Sequence, residues 1–168
     1  MKGFLTKILV LVCLAGVSSC VAQDDLGKPK AQLGKGVILV PAGWTKSNDG
    51  NERINITSPD GQQQATFSIM TFDVSPTFAD FKRICSNRLE AEKAHASDIS
   101  ITQDAPFEDA GTFGMFFSGK ESSTNRLFSG YVTQKGLEVH TIYLESIGSD
   151  SKKHLAVFET FVNGFKRT

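Results

Sequence analysis

Cysteine is scarce in this chain. Its 168 residues hold three, and Cys13 and Cys20 both fall in the first twenty positions, leaving Cys85 alone in the rest. A fold stapled by disulfides needs an even set of cysteines in its mature part, so that class of scaffold is excluded. An excess of charge of either sign is also missing, with 18 basic against 18 acidic residues and no basic tract. A nucleic-acid partner requires a concentrated positive footprint to displace phosphate counterions, and none is present. Catalytic signatures are equally sparse. No Gly-x-Ser-x-Gly elbow occurs, Gly27, Gly34 and Gly36 open no phosphate-cradling loop, and Asp104, Glu108 and Asp109 lack calcium-loop spacing. No cofactor, metal site or catalytic residue is therefore assigned.

Long hydrophobic runs are confined to the N-terminus. Lys2 and Lys7 precede the apolar stretch Ile8 to Val17, which has the layout of a bacterial secretion signal. At about ten residues it is half the length needed to cross a bilayer. Val17-Ser18-Ser19-Cys20 reads as a lipobox, whereas Cys20-Val21-Ala22 would suit ordinary cleavage before Gln23. The lipobox is the favoured reading, with 1–19 as signal peptide and Cys20 as the lipidation site of an outer membrane lipoprotein facing the periplasm; a soluble periplasmic product is the alternative. Residues 20–35 are polar and broken by Gly27, Pro29 and Gly34, as in a tether. Residues 36–168 then form a single domain, since about 145 mature residues suffice for one hydrophobic core.

Within that domain, Val37 to Val40 is a strand stopped by Pro41, and Trp44 roofs the core edge. Ile54 and Ile56 share a face, as do Ala65, Phe67 and Ile69, which predicts an antiparallel meander. Ser75-Pro76 reads as a helix start, followed by Phe78, Phe81, Cys85 and Leu89 at helical spacing. Ile99, Ile101, Phe107 and the aromatic run Phe113 to Phe117 continue the sheet. Leu127 to Thr133 and Leu137 to Leu144 form a hairpin about Gly136. A second amphipathic helix follows a cap at Ser149 or Asp150, with Leu155, Phe158, Phe161, Val162 and Phe165 as its apolar stripe. The expected class is α+β, with a central, largely antiparallel β-sheet covered by two amphipathic helices.

The order of these elements, with the local run Val37-Ile38-Leu39-Val40-Pro41-Ala42-Gly43-Trp44, resembles the PsbP-like family of photosystem II extrinsic subunits and their non-photosynthetic bacterial relatives. The resemblance covers about Gly36 to Lys166. It implies an α/β/α sandwich and carries over no catalytic residue.

Chemistry-bearing side chains are few. Glu138 and His140 lie two apart on one strand face, too common a pairing to imply a metal, and His95 and His154 read as surface positions. Cys85 reads as a small buried hydrophobe, because no histidine stands a helical turn away to activate it. Thirteen phenylalanines exceed what one sheet face needs. Trp44, Phe107, Phe116 and Phe128 would therefore line a groove or form a second layer on the other sheet face. The polar residues Asp104, Glu108, Asp109, Lys120, Glu121 and Asn125 are candidate protein contacts on strand ends and turns. These features point to an exported, noncatalytic envelope protein that binds a periplasmic partner and meets the membrane only through its lipid. The alternatives are an immunity protein neutralising a secreted toxin, a small ligand or lipid carrier, and a small envelope hydrolase.

Overall fold

The computed structural model describes residues 29–48 and 50–168. In chain order the elements are β1 (Lys30–Leu33), β2 (Gly36–Leu39), β3 (Thr45–Asn48), β4 (Arg53–Thr57), β5 (Gln63–Thr71), α1 (Phe78–His95), β6 (Ile99–Gln103), β7 (Phe107–Asp109), β8 (Thr112–Glu121), β9 (Arg126–Lys135), β10 (Glu138–Ile147), α2 (Ser151–Asn163) and β11 (Lys166–Arg167). An eight-stranded sheet runs in the order β3-β4-β5-β10-β9-β8-β6, with β7 also paired to β8, and β1-β2-β11 form a small second sheet. All these pairings are antiparallel. The fold is α+β, and its large sheet lies between two helical layers.

Alternation along the strands decides what covers each sheet face. In β4 and β5, Ile54, Ile56, Ala65, Phe67 and Ile69 are buried on one parity. Asn55, Thr57, Thr66 and Ser68 occupy the other and stay half-exposed, the signature of a sheet with one solvated face. In β8 and β9 both parities are apolar, so both faces are covered. Phe116 joins the core beneath α2 and the small sheet, with Ile142, Leu144, Phe158 and Phe161. Met115, Phe117, Phe128 and Val132 join the core beneath α1, with Phe81, Cys85 and Leu89. Trp44 meets Phe161 edge-on at 5.4 Å between ring centroids.

Several sequence expectations are corrected. The segment read as a tether contributes β1, whose Ala31 and Leu33 are buried, so the folded unit reaches back to at least Lys30; two apolar residues at strand spacing suffice to seat it. The strand expected at Val37 to Val40 is β2, which pairs with β1 and β11 in the small sheet. The first helix is capped by Thr77, not Ser75. Thr77 and Asp80 accept each other's backbone N–H groups in a capping box, and that reciprocal pair satisfies more exposed amides than a lone serine. Asp150 caps α2 by accepting from the amides of Lys152 and Lys153, and Phe165 follows the helix end instead of extending its stripe. The signal segment and Cys20 lie outside the described residues.

Of the two readings for Phe116 and Phe128, a groove or a second layer on the other sheet face, their burial favours the second layer. Phe107 stacks on Phe116 at 6.3 Å. The sheet supplies the physical reason: Phe107 pairs with Gly114, Phe128 with Gly119 and Phe117 with Gly130. In each pair the ring fills the space where a glycine side chain would stand, which restores packing to strand glycines. Gly130→Ala is accordingly expected to destabilise the fold by about 1–3 kcal/mol through displacement of the Phe117 ring. Chemical denaturation checks this, and a variant as stable as the parent would contradict it.

Candidate functional site

A single 18-residue helix is too narrow to cover an eight-stranded sheet. The helix α1 packs over β8, β9 and β10 through its Phe81, Cys85 and Leu89 stripe, leaving the polar parity of β4 and β5 open. Between the helix and that open half lies a groove of about 1000 Å³. Thr66, Ser68 and Thr141 form its floor, while Ile84, Asn87 and Arg88 line its helical wall. One end is closed by Glu121, Arg126, Tyr143 and Glu145, and Met70 stands at the other.

The closed end is a dense charge cluster. Glu92, buried on the inner face of α1, lies 2.6 Å from the Arg88 guanidinium and accepts the Tyr143 hydroxyl at 3.0 Å. Arg126 reaches Glu121 at 2.9 Å, Glu145 at 3.4 Å and Glu92 at 3.8 Å, and donates to the Tyr143 oxygen at 3.2 Å. Burial, reinforced by the adjacent Glu92 carboxylate, raises the Tyr143 phenol above its usual range, so the proton remains available for donation. Arg88 lies over the Tyr143 ring at 4.7 Å, Arg126 over Phe128 at 5.1 Å, and the Arg88 Nε is buried without a hydrogen-bond partner. The arrangement offers fixed charges and hydroxyls for binding. It contains no nucleophile paired with a base.

The predicted contact residues do not assemble into one surface. Glu121 is turned into the cluster, while Lys120 and Asn125 are exposed beside it. Glu108 and Asp109 are exposed on β7, and Asp104 is half-buried, with its carboxyl raised above the ordinary range by desolvation. Arg88, Glu92, Arg126, Tyr143 and Glu145 were missed by sequence reasoning. Glu92 follows Leu89 by three positions and Cys85 by seven, so a carboxylate on the apolar face was the available signal.

Two other places carry potentially reactive groups. Cys85 is buried and its thiol is pushed up to about 12 by desolvation, leaving no thiolate for chemistry. His154, expected on the surface, is buried, because position 154 faces the sheet one turn before Phe158. Its Nε2 lies 3.0 Å from the Ser129 hydroxyl and its Nδ1 lies 2.8 Å from that of Ser146, to which Gln63 donates at 3.0 Å. A serine beside a histidine suggests a hydrolytic pair, but no carboxylate orients this ring, and Ser129 is itself buried. His140 is also enclosed, its Nε2 donating to the Leu33 carbonyl at 3.0 Å while its ring stacks on Phe67. Among the described residues, no group of three or more His, Cys, Asp or Glu side chains is placed to hold a metal.

This architecture, a large antiparallel sheet between helical layers, is the PsbP-like fold. The solution structure of cyanobacterial PsbP (CyanoP) from Synechocystis sp. PCC 6803 superposes with a TM-score of 0.66 at 12% identity, covering 90% of this chain and 99% of that one. A crystal structure of a protein from Bacteroides thetaiotaomicron VPI-5482 gives a TM-score of 0.40 at 12% identity over 80% of this chain and 45% of that one. No family model and no curated protein matches the sequence.

The histidine network generates a pH expectation. Burial lowers the His154 pKa from 6.5 to about 4, so the folded state holds the ring neutral while the unfolded chain takes up a proton below 6.5. The stability this neutral ring contributes is complete above pH 6.5, falls as the pH drops towards 4 and levels off below it. The loss amounts to about 3 kcal/mol. Burial lowers the pKa of His140 as well, adding a loss of the same sign. Urea unfolding across this range should show a shallower pH slope in His154→Asn than in the parent, and an unchanged slope would contradict the assignment.

Proposed function

We propose that the chain is a noncatalytic binding protein of the bacterial cell envelope that takes its ligand in the groove between α1 and the open half of the sheet. The observation that carries this reading is the groove, with a volume of about 1000 Å³, within the range of ligand sites. Its closed end is cross-linked by Arg126 to Glu121 and Glu145 and by Tyr143 to Glu92, so its walls are set before a ligand arrives. A hydrolase is disfavoured because Cys85, Ser129 and His154 are all buried away from the groove.

The envelope location rests on the N-terminal signal and the Cys20 lipobox read from the sequence. Among the described residues, no helix is long and apolar enough to cross a membrane. In this reading a lipid on Cys20 holds the domain at the membrane surface, and the groove acts there as the recognition element.

The experiment is native mass spectrometry of the protein purified from envelope extract, with Ser68→Trp as the comparison. Ser68 sits half-exposed on the groove floor, so the indole fills the groove without entering a core. A species retained stoichiometrically by the parent should be lost from Ser68→Trp at unchanged melting temperature. Equal retention by both would remove the groove from the account.

A further inference from the structure

We infer that the groove binds an extended peptide segment of a partner protein, one that carries a lysine or arginine near one end and an apolar side chain about six residues away. This inference rests on the groove being the binding site. Its first support is an unbalanced charge. The groove is lined by four carboxylates, Glu52, Glu92, Glu121 and Glu145, against three guanidiniums, Arg53, Arg88 and Arg126, so with His95 neutral its lining retains one negative charge. Glu92 and Glu121 are 4% and 12% exposed, whereas Glu145 is 35% exposed and lies 3.4 Å from Arg126. Within the closed end Glu145 is the carboxylate most open to an entering cation, and the low-dielectric walls strengthen that attraction relative to open water.

The second support lies at the opposite end. Met70 is 43% exposed, Val74 79% and Leu137 45%, and they gather where β5 meets the β9–β10 turn. Phe72 donates its amide to the Leu137 carbonyl there, and the Ser75 hydroxyl donates to the Gly136 carbonyl. These are three of the four large hydrophobic residues that are exposed among the described residues, so an apolar patch marks this end as a contact.

The distance between the two ends sets the spacing. Met70 pairs with Val139 on β10, six positions before Glu145, or about 20 Å at the rise of a strand. An extended peptide covers that span in about six residues, and the hydroxyls of Thr66, Ser68 and Thr141 lie beneath it to meet its amides. A small cation would leave the apolar end unused, and an anionic lipid surface would be repelled by the charge at the other.

Fluorescence anisotropy tests this with a labelled peptide of about nine residues, bearing leucine and lysine six positions apart, against the purified protein. The parent peptide should bind, and replacing its lysine by glutamate or its leucine by serine should each weaken binding at least about fivefold. Glu145→Gln and Met70→Ser should weaken the parent peptide by similar factors at unchanged melting temperature, and raising salt from roughly 50 to 500 mM should weaken it further. Affinity indifferent to the lysine, or to Glu145→Gln, would overturn the inference. So would binding to vesicles of phosphatidylglycerol and phosphatidylethanolamine in place of peptide. If no peptide binds while Ser68→Trp still abolishes retention of the native ligand, the inference fails and the groove stands as the site.

Discussion

The buried Glu92 carboxylate is bound at once to Arg88 on its own helix and to Tyr143 on β10, and it stands 3.8 Å from Arg126 on β9. A charge in that position is tolerated only while its partners remain, because an unpaired buried carboxylate costs several kcal/mol. Lifting or sliding the helix therefore parts Glu92 from Tyr143 and Arg126 and leaves it with Arg88 alone. Its apolar stripe alone would permit small shifts across the sheet, since Phe81, Cys85 and Leu89 make non-directional contacts. The ion pairs, by contrast, have one geometry. They place α1 over β8 to β10 and so leave β4 and β5 uncovered along one edge of the helix.

Everything about the groove follows from that placement together with the strand alternation. Polar residues on the open parity of β4 and β5 need no cover, so a second helix is unnecessary there. The other face is closed by α2 and the small sheet, whose Ala31, Leu33, Ile38 and Val40 pack on Ile54, Ile56 and Phe67. Stability thus resides mainly in two buried cores, and the groove is a polar surface outside them.

Much of the fold was legible because it rests on local periodicity. The apolar stripes of both helices, the hairpin about Gly136 and the two-sided apolar character of Phe113 to Phe117 each have a sequence signature, and each corresponds to an element of the structure. What was hidden depends on distant pairs. Lys30 to Leu33 looks like linker until Gly36 to Leu39 is known to lie beside it, and His154 looks exposed until Ser129 and Ser146 are brought to its ring. The phenylalanines at 107 and 128 could not be assigned because their partners are the cross-strand glycines 114 and 119, and register is not written in composition. Apart from Glu92 on the apolar helix face, the charge cluster was hidden for the same reason: Glu92 and Tyr143 are 51 positions apart, and no short motif joins them.

The central claim, that the Glu92 ion pairs hold α1 and thereby shape the groove, is tested most directly by native-state hydrogen exchange in Glu92→Gln. This substitution keeps the shape and removes the charge, and breaking such a pair costs about 3–5 kcal/mol. The account predicts that amides of α1 lose protection and open separately from the sheet, while those of β9 and β10 remain the last to exchange. Protection of α1 equal to that in the parent protein would contradict it.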